Sequence, residues 1–116
     1  MTRKKISRQE IYWTDLGRTV GTEIYKIRPC LVISNDQQNE VSTRIIIIPL
    51  TSQPVSNALH IKVKLAGKVA YILPEQIRSV SKKRVKSRLG KVSKEIMQKV
   101  SKLLHIICEL EEDYEN

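Results

Sequence analysis

Four consecutive isoleucines, at positions 45–48, constrain the fold of this chain more than any other feature. Pro49 and Leu50 follow them, and β-branched side chains disfavour a helix because they restrict χ1 against the preceding turn. The run therefore predicts a central β-strand that is buried on both faces. Pro49 lacks a backbone donor, so we expect strand pairing to weaken there and to free residues 51–53 to face a site.

Shorter strands are predicted around this run from apolar alternation and turn signals, at residues 10–16, 30–34, 59–65 and 69–73. The last two form a hairpin around Gly67 and Lys68, with the lysines of its first strand facing outward. Asn35 and Asp36 mark a turn after the second strand. Another short strand is expected to end at Val80.

A C-terminal helix is predicted from residue 94 to about residue 110. Ser93 suits the N-cap, and Glu95 is favourable in the first turn. At a helical period the apolar residues cover an arc of roughly 200°, which is wider than one packed face needs. We therefore expect the helix to pack on the sheet and to contact a second copy of the chain. Short strands followed by one helix, without βαβ alternation, predict a small, mainly antiparallel barrel.

The charge of the chain favours a polyanionic partner. The net charge is +9, and five of the twelve acidic residues lie in the last eight positions, so residues 1–108 carry 21 basic against seven acidic side chains, or +14. We expect a basic flexible arm at residues 1–8, one domain at residues 9–110 and an acidic tail at residues 111–116. Residues 81–91 are very basic, a pattern that usually marks a solvated surface.

Several classes of protein are disfavoured by what the chain lacks. No apolar run approaches the roughly 20 residues that span a bilayer, and no secretory signal pattern follows Met1, so we expect a cytoplasmic protein. Cys30 and Cys108 have no metal-ligand spacing and are both expected to be buried thiols. The chain has no phosphate-binding glycine loop and no acidic cluster for metal ions, so we expect no cofactor and no metal.

Histidines and aromatic residues offer little obvious chemistry. His105 falls opposite the apolar arc of the helix and should be solvated, while His60 begins a strand without a recognisable catalytic partner. The chain has one tryptophan, four tyrosines and no phenylalanine, so we expect no broad platform for stacking bases.

Arg28 and Thr51 are the strongest candidates for a site. Pro29 biases Arg28 towards an extended conformation at the mouth of the second strand, and Thr51 ends the central strand. An arginine fork and a hydroxyl suit a phosphate. The alternative is that Arg28 is a surface cation that pairs with Glu23 across the intervening loop.

Motifs along the chain resemble those of the MazF/PemK family of toxin endoribonucleases. They run in order from residue 9 to residue 110, as EIYWTDL, VGTE, IRPCLVISND, IPLTS and LPEQIRSV at residues 10–16, 20–23, 27–36, 48–52 and 73–80. The resemblance implies an SH3-like antiparallel barrel with a C-terminal helix that acts as a homodimer. It further implies metal-independent, sequence-specific cleavage of single-stranded RNA, leaving 2′,3′-cyclic phosphate and 5′-hydroxyl ends.

The resemblance also assigns residues to roles. The family's catalytic arginine and threonine fall on Arg28 and Thr51. Its RNA-binding segments, together with neighbouring positions of this chain, give as RNA-binding residues Thr22, Glu23, Tyr25, Lys26, Ser52, Gln53, Glu75 and Gln76. Glu23 is a candidate for the base that takes the 2′-hydroxyl proton. Many relatives carry glycines where this chain has Ile24, Tyr25 and Lys26, so we expect this segment to set the chain's own RNA preference.

The family resemblance implies a partner, and the same features leave two alternatives open. The partner is an antitoxin whose acidic, disordered C-terminal segment covers the basic groove. One alternative is a toxin of the CcdB type, which shares the fold and poisons DNA gyrase. The other is a noncatalytic RNA-binding barrel, which a body of charge +14 would also suit.

Overall fold

The isoleucine run forms a strand at the centre of a single antiparallel sheet. The computed structural model describes residues 5–17, 26–53 and 59–111. In these ranges the elements are β1 (Glu10–Asp15), β2 (Ile27–Val32), α1 (Asp36–Val41), β3 (Arg44–Thr51), β4 (Ile61–Leu65), β5 (Lys68–Ile72), β6 (Arg78–Ser81), β7 (Val85–Lys91) and α2 (Lys94–Cys108). The sheet order is β4-β5-β3-β2-β1-β7, and β6 also pairs with β3.

The architecture is a curled half-barrel with the C-terminal helix α2 packed on it. This confirms the prediction of a mainly β fold of the antiparallel barrel type with a C-terminal helix. Ser93 caps α2 as expected, because its hydroxyl accepts a hydrogen bond from the Ile96 amide at 3.2 Å. No helix in the described ranges is long and apolar enough to cross a membrane.

Strand β3 is buried on both faces, as predicted. Neighbouring residues alternate between two apolar clusters, with Ile48 and Leu50 in one and Ile45 and Ile47 in the other. The first cluster also contains Met97 and Val100 of α2. The sheet therefore packs apolar side chains on both sides, since its strands alternate side chains between faces.

Pro49 lies where one edge of β3 changes partner. Residues 44–47 pair with β6, and residues 50–51 pair with β5, while the opposite edge of β3 pairs with β2. The Pro49 carbonyl accepts a hydrogen bond from the Leu73 amide at 3.1 Å. The missing donor of Pro49 thus falls at the junction between β5 and β6, where it interrupts neither ladder.

The hairpin of β4 and β5 is confirmed, but its turn consists of Ala66 and Gly67, one residue earlier than the predicted Gly67 and Lys68, because Lys68 already pairs with Leu65. Ala66 and Gly67 have φ angles of 52° and 80°, and a two-residue turn with both φ angles positive matches the twist of its strands. Lys62 and Lys64 are exposed on β4, as predicted.

Two elements were not predicted. Asn35 does not mark a simple turn but caps α1, because its side chain accepts a hydrogen bond from the Gln38 amide at 2.8 Å. The basic segment after Ser81 contains a 3₁₀ turn, Lys82–Arg84, and then β7, which pairs with β1. Its cations are mostly exposed, but tertiary pairing with β1 makes the segment a strand.

The described part of the expected flexible arm, residues 5–8, packs against the sheet. Ile6 is 6% exposed and belongs to an apolar cluster. The Arg8 amide donates to Asp36 Oδ1 at 2.7 Å, and the Ser7 amide donates to the Tyr12 hydroxyl at 3.3 Å. The ordered body therefore begins before residue 9, the boundary expected from the sequence.

The two cysteines differ in exposure. Cys30 is fully buried in β2, as predicted, and burial raises the pKa of its thiol to about 12. The prediction for Cys108 is wrong, because this residue is exposed at the end of α2. Ile106 and Cys108 are both exposed in the last turn of α2, so the sheet does not cover this end of the helix.

Candidate active site

Arg28 lies inside strand β2, not in the loop before it. The strand begins at Ile27, and its register with β1 sets Arg28 opposite Thr14 and Pro29 opposite Trp13. Pairing with β3 begins only at Cys30, so β2 has one neighbour at Pro29 and tolerates its missing donor. This corrects the expectation that the strand starts at Cys30, and it fixes the backbone of Arg28 in a ladder.

Thr51 is the last residue of β3 and is 6% exposed. Its hydroxyl accepts a hydrogen bond from the Gln53 amide at 3.1 Å, which holds the first residues after the strand. Cys30 is opposite Pro49 at the end of the ladder between β2 and β3, and Arg28 and Thr51 each lie two residues beyond that last pair. Two residues far apart in sequence are thereby brought to neighbouring strand positions.

Arg28, Thr51 and Ser52 line one concavity of about 390 Å³. Its other walls come from Trp13 of β1, from the hairpin of β4 and β5, and from Leu89 of β7. This volume falls in the range of sites for small ligands. An arginine, two hydroxyls and the cation of Lys68 give it the donors that a phosphate group requires.

The loop before β2 has a closed base. The Leu16 amide donates to the Lys26 carbonyl at 2.8 Å, and the Lys26 amide donates to the Gly17 carbonyl at 3.0 Å. Arg78 and Arg84 donate to the carbonyls of Leu16 and Asp15 at 3.3 and 3.2 Å. Lys26 is thus anchored at the base of the loop. Three residues predicted to bind RNA, Thr22, Glu23 and Tyr25, lie outside the described residues.

The remaining predicted site residues do not line this concavity. Lys26 precedes the lining residue Ile27, and Gln53 follows the lining residue Ser52. Both are exposed, but neither is among the described lining residues. Glu75 and Gln76 lie on a 3₁₀ turn, Pro74–Gln76, between β5 and β6. The structure therefore gathers Arg28, Thr51 and Ser52 and leaves the Glu75-Gln76 pair at a separate position.

His60 has a partner that sequence reasoning missed. Its Nε2 lies 2.8 Å from Glu75 Oε2, and its side chain is 8% exposed. The buried Nδ1 has no hydrogen-bond partner within the described part of the chain. His105 is exposed, as predicted. Among the described residues, no group of three His, Cys, Asp or Glu side chains is arranged to hold a metal ion.

Trp13 also lines the concavity and was not predicted as a site residue. Ile11, Tyr12 and Trp13 are three successive large apolar residues, and strand alternation cannot send all of them to the same buried face. Ile11 and Tyr12 are buried in different clusters, while Trp13 is 37% exposed. Alternation sets Trp13 on the same face of β1 as the buried Ile11, so no local signal in the sequence marks Trp13 as a site residue.

Comparisons with known proteins give one consistent result. Residues 7–108 match the model of a family described as PemK-like, MazF-like toxins of type II toxin–antitoxin systems. The chain is also 34% identical over 107 residues to endoribonuclease EndoA of Bacillus subtilis (strain 168). The aligned region covers 87% of this chain and 92% of that protein.

Solved structures share the fold at lower identity. MazF from Deinococcus radiodurans superposes with a TM-score of 0.85 at 19% identity, covering 93% of this chain and 100% of the other. An endoribonuclease in complex with its cognate antitoxin, from a mycobacterial species, gives a TM-score of 0.75 at 21% identity, with 94% and 98% covered. These similarities support the half-barrel with a C-terminal helix.

Proposed function

The chain belongs to the PemK-like, MazF-like family of type II toxin–antitoxin toxins and is an endoribonuclease, and from this premise we propose that it cleaves single-stranded RNA at specific sequences without a metal ion. The reaction is attack of a 2′-hydroxyl on its own phosphodiester. The bond from phosphorus to the 5′-oxygen breaks, which leaves a 2′,3′-cyclic phosphate and a 5′-hydroxyl. A base takes the 2′-proton, and the departing 5′-oxygen gains one.

The shared concavity of Arg28 and Thr51 is the observation that carries this proposal. Negative charge accumulates on the nonbridging oxygens as the pentavalent phosphorane forms, and preorganised donors are most effective where charge develops. Arg28 supplies a guanidinium on a strand, and Thr51 supplies a hydroxyl to one nonbridging oxygen. A guanidinium stays protonated in proteins, so Arg28 acts by electrostatics and hydrogen bonding, and Glu23 is the candidate base.

RNA on either side of the reacting phosphate would meet the other predicted binding residues. Ser52 adjoins Thr51 within the concavity, and Lys26 adds a cation at the base of the loop. Gln53, Glu75 and Gln76 would contact the strand farther from the phosphate, and Thr22, Glu23 and Tyr25 are the other proposed RNA contacts. The basic body, with a charge of +14 over residues 1–108, favours the RNA backbone.

Cleavage in the presence of EDTA tests the proposal. Long single-stranded RNA is incubated with the purified protein, and the ends of the products are mapped and their termini identified. We expect cuts at one short sequence, with cyclic phosphate ends. Arg28→Ala should lower the rate by about 10²–10³, the usual effect of losing one such donor.

Arg44→Ala is the matched control. Arg44 is exposed at the far end of β3 and donates to Ser79 Oγ at 2.8 Å, outside the concavity. Unchanged cleavage by Arg28→Ala would disprove the assignment of this site. Binding without cleavage would indicate the noncatalytic barrel, and inhibition of gyrase without either would indicate the CcdB-like alternative.

We further propose that two copies associate through the end of α2. Ile106 and Leu110 are 58% and 51% exposed there, and Cys108 lies between them. Large exposed apolar side chains grouped at one helix end are typical of an association surface. Ile106→Lys should shift the sedimentation coefficient towards a monomer at micromolar concentration, whereas Ser101→Lys, at an exposed polar position, should not. A wild-type monomer would contradict this proposal.

The proposed protein partner is an antitoxin with an acidic segment. Such a segment would compete with RNA for the basic surface that carries Arg28 and Lys68. Adding the cognate antitoxin should therefore abolish RNA cleavage at a stoichiometric ratio. Persistent cleavage in the preformed complex would exclude this mode of inhibition.

A further inference from the structure

Exposed apolar side chains are concentrated at the concavity of Arg28 and Thr51. Six large hydrophobic residues are exposed in the described part of the chain, and three of them line this one concavity. These are Trp13, Ile27 and Val69, exposed by 37%, 52% and 37%. The remaining three, Val41, Ile106 and Leu110, lie on or beside the two helices.

The apolar walls stand on strands, which gives them fixed positions. Trp13 lies on β1 opposite Pro29, and Val69 lies on β5. The hairpin of β4 and β5 comes close to β7 at Gly90. A Cβ atom built at Gly90 would lie only 3.0 Å from Leu65 Cδ1. Leu65 and Leu89 both line the concavity. A strand-borne aromatic ring loses little conformational entropy when a flat ligand stacks on it.

The concavity combines polar and apolar lining residues. Arg28, Thr51 and Ser52 supply polar groups, and Lys68 adds a second cation. A nucleotide has the same combination, with a phosphate joined to a flat base. A phosphate held by Arg28 carries an adjoining base with it, and Trp13 is the aromatic residue that lines the same concavity.

We propose that the base of a nucleotide flanking the scissile phosphate stacks on Trp13, between Ile27 and Val69. This inference rests on the proposed RNA cleavage and names a substrate contact within the same site. Stacking on one aromatic ring accepts every base but favours those that stack strongly. Trp13 is then a contributor to RNA affinity and preference separate from the loop that precedes β2.

The competing occupant is an apolar side chain of a protein partner. The cations of Arg28 and Lys68 in the lining favour a nucleotide, since a phosphate is complementary to their charge and an apolar side chain is not. The two occupants predict different couplings between Trp13 and the substrate bases.

A double-substitution cycle tests the stacking. The substrate is a short RNA with the mapped cleavage sequence, and its analogues carry an abasic residue at each position flanking the cleaved bond. For the wild-type protein, one abasic analogue should lower kcat/KM by about 5- to 150-fold, as expected for one lost stack. Trp13→Ala should lower kcat/KM on the intact RNA to a similar extent and should lose little more on that analogue.

Trp13→Phe and Trp13→Leu are the matched variants. Phenylalanine keeps an aromatic face and should stay close to the wild type, whereas leucine keeps an apolar side chain and should behave like alanine. Thermal unfolding checks that each variant is folded, which the partial exposure of Trp13 favours. Losses that multiply, or equal activity of all three variants, would overturn the stacking and indicate that the surface serves a protein partner.

Fluorescence provides a readout that does not depend on catalysis. Trp13 is the only tryptophan of the chain, so its emission reports this concavity alone. An RNA with a 2′-deoxy residue at the cleavage position binds without reacting, and it should quench Trp13 in a saturable manner. Its abasic analogue should quench markedly less. Absence of cleavage by the wild type would refute the proposed function, whereas cleavage without quenching would refute only the stacking.

Discussion

His60 Nε2 lies 2.8 Å from Glu75 Oε2. This contact joins the residue before β4 to the 3₁₀ turn between β5 and β6. The His60 side chain is 8% exposed and that of Glu75 is 37% exposed. The contact therefore holds the turn that carries Gln76. Glu75 was predicted from the family resemblance to bind RNA, and its carboxylate oxygen has a structural partner within the chain.

We expect the His60–Glu75 contact to contribute measurably to stability. A double-mutant cycle of His60→Ala and Glu75→Ala, followed by urea unfolding, should give a coupling energy of about 0.5–1.5 kcal/mol, as for an ordinary net hydrogen bond. Lys64→Ala, at an exposed position of β4, should change the unfolding free energy by less than about 0.5 kcal/mol. Strictly additive effects of the two substitutions would contradict the contact.

The Tyr12 hydroxyl should make stability depend on alkaline pH. Burial and a hydrogen bond to Glu10 raise its pKa to about 12, from an ordinary value near 10. Between these values the unfolded state releases the proton and the folded state retains it, so this contribution to stability is complete below pH 10 and declines as the pH rises towards 12. The loss is up to about 2–3 kcal/mol.

Tyr12→Phe isolates this effect. At neutral pH the variant should be less stable by about 0.5–1.5 kcal/mol for each hydrogen bond lost. The difference from the wild type should shrink as the pH rises above 10, because phenylalanine does not ionise. Chemical denaturation at several pH values measures it, and a constant difference from pH 8 to pH 12 would exclude the raised pKa.

The two cysteines should react at very different rates with iodoacetamide. Cys108 is exposed, whereas Cys30 is fully buried and its pKa is raised to about 12, so little reactive thiolate is present at pH 8. At concentrations low enough to keep the protein monomeric, mass spectrometry should find one modified site in the native protein and two after denaturation. Cys108→Ser should abolish native labelling, and native modification of Cys30 would contradict the packing of β2.

Thr51 offers a separation of hydroxyl chemistry from packing. Thr51→Val keeps the β-branched shape at a buried strand end but removes the hydroxyl, so we expect the cleavage rate to fall by about 10²–10³, the usual effect of losing one such donor. Thr51→Ser retains the hydroxyl and should remain within a few-fold of the wild type. Single-turnover cleavage measures both rates, and equal activity of valine and wild type would remove Thr51 from the proposed chemistry.

The pattern of local signals predicted most elements but misread two of them. Asn35 illustrates one cause. Its side chain can accept a hydrogen bond from a following amide either in a turn or at a helix start, so the residue alone does not distinguish the two, and here it caps α1. The basic segment that forms β7 shows the other cause. Val85 and Leu89 alone give a weak strand signal, and pairing with β1 supplies what local propensity does not.

The sequence by itself determined the central strand through the isoleucine run, the hairpin through Gly67, and α2 through Ser93, because backbone preference and apolar spacing act locally. Its motifs also pointed to Arg28 and Thr51. Only the tertiary structure decided that these two share a concavity with Trp13 and that His60 contacts Glu75. Strand register over long separations sets such neighbours, and it depends on how the sheet curls and packs, which no local stretch of residues encodes.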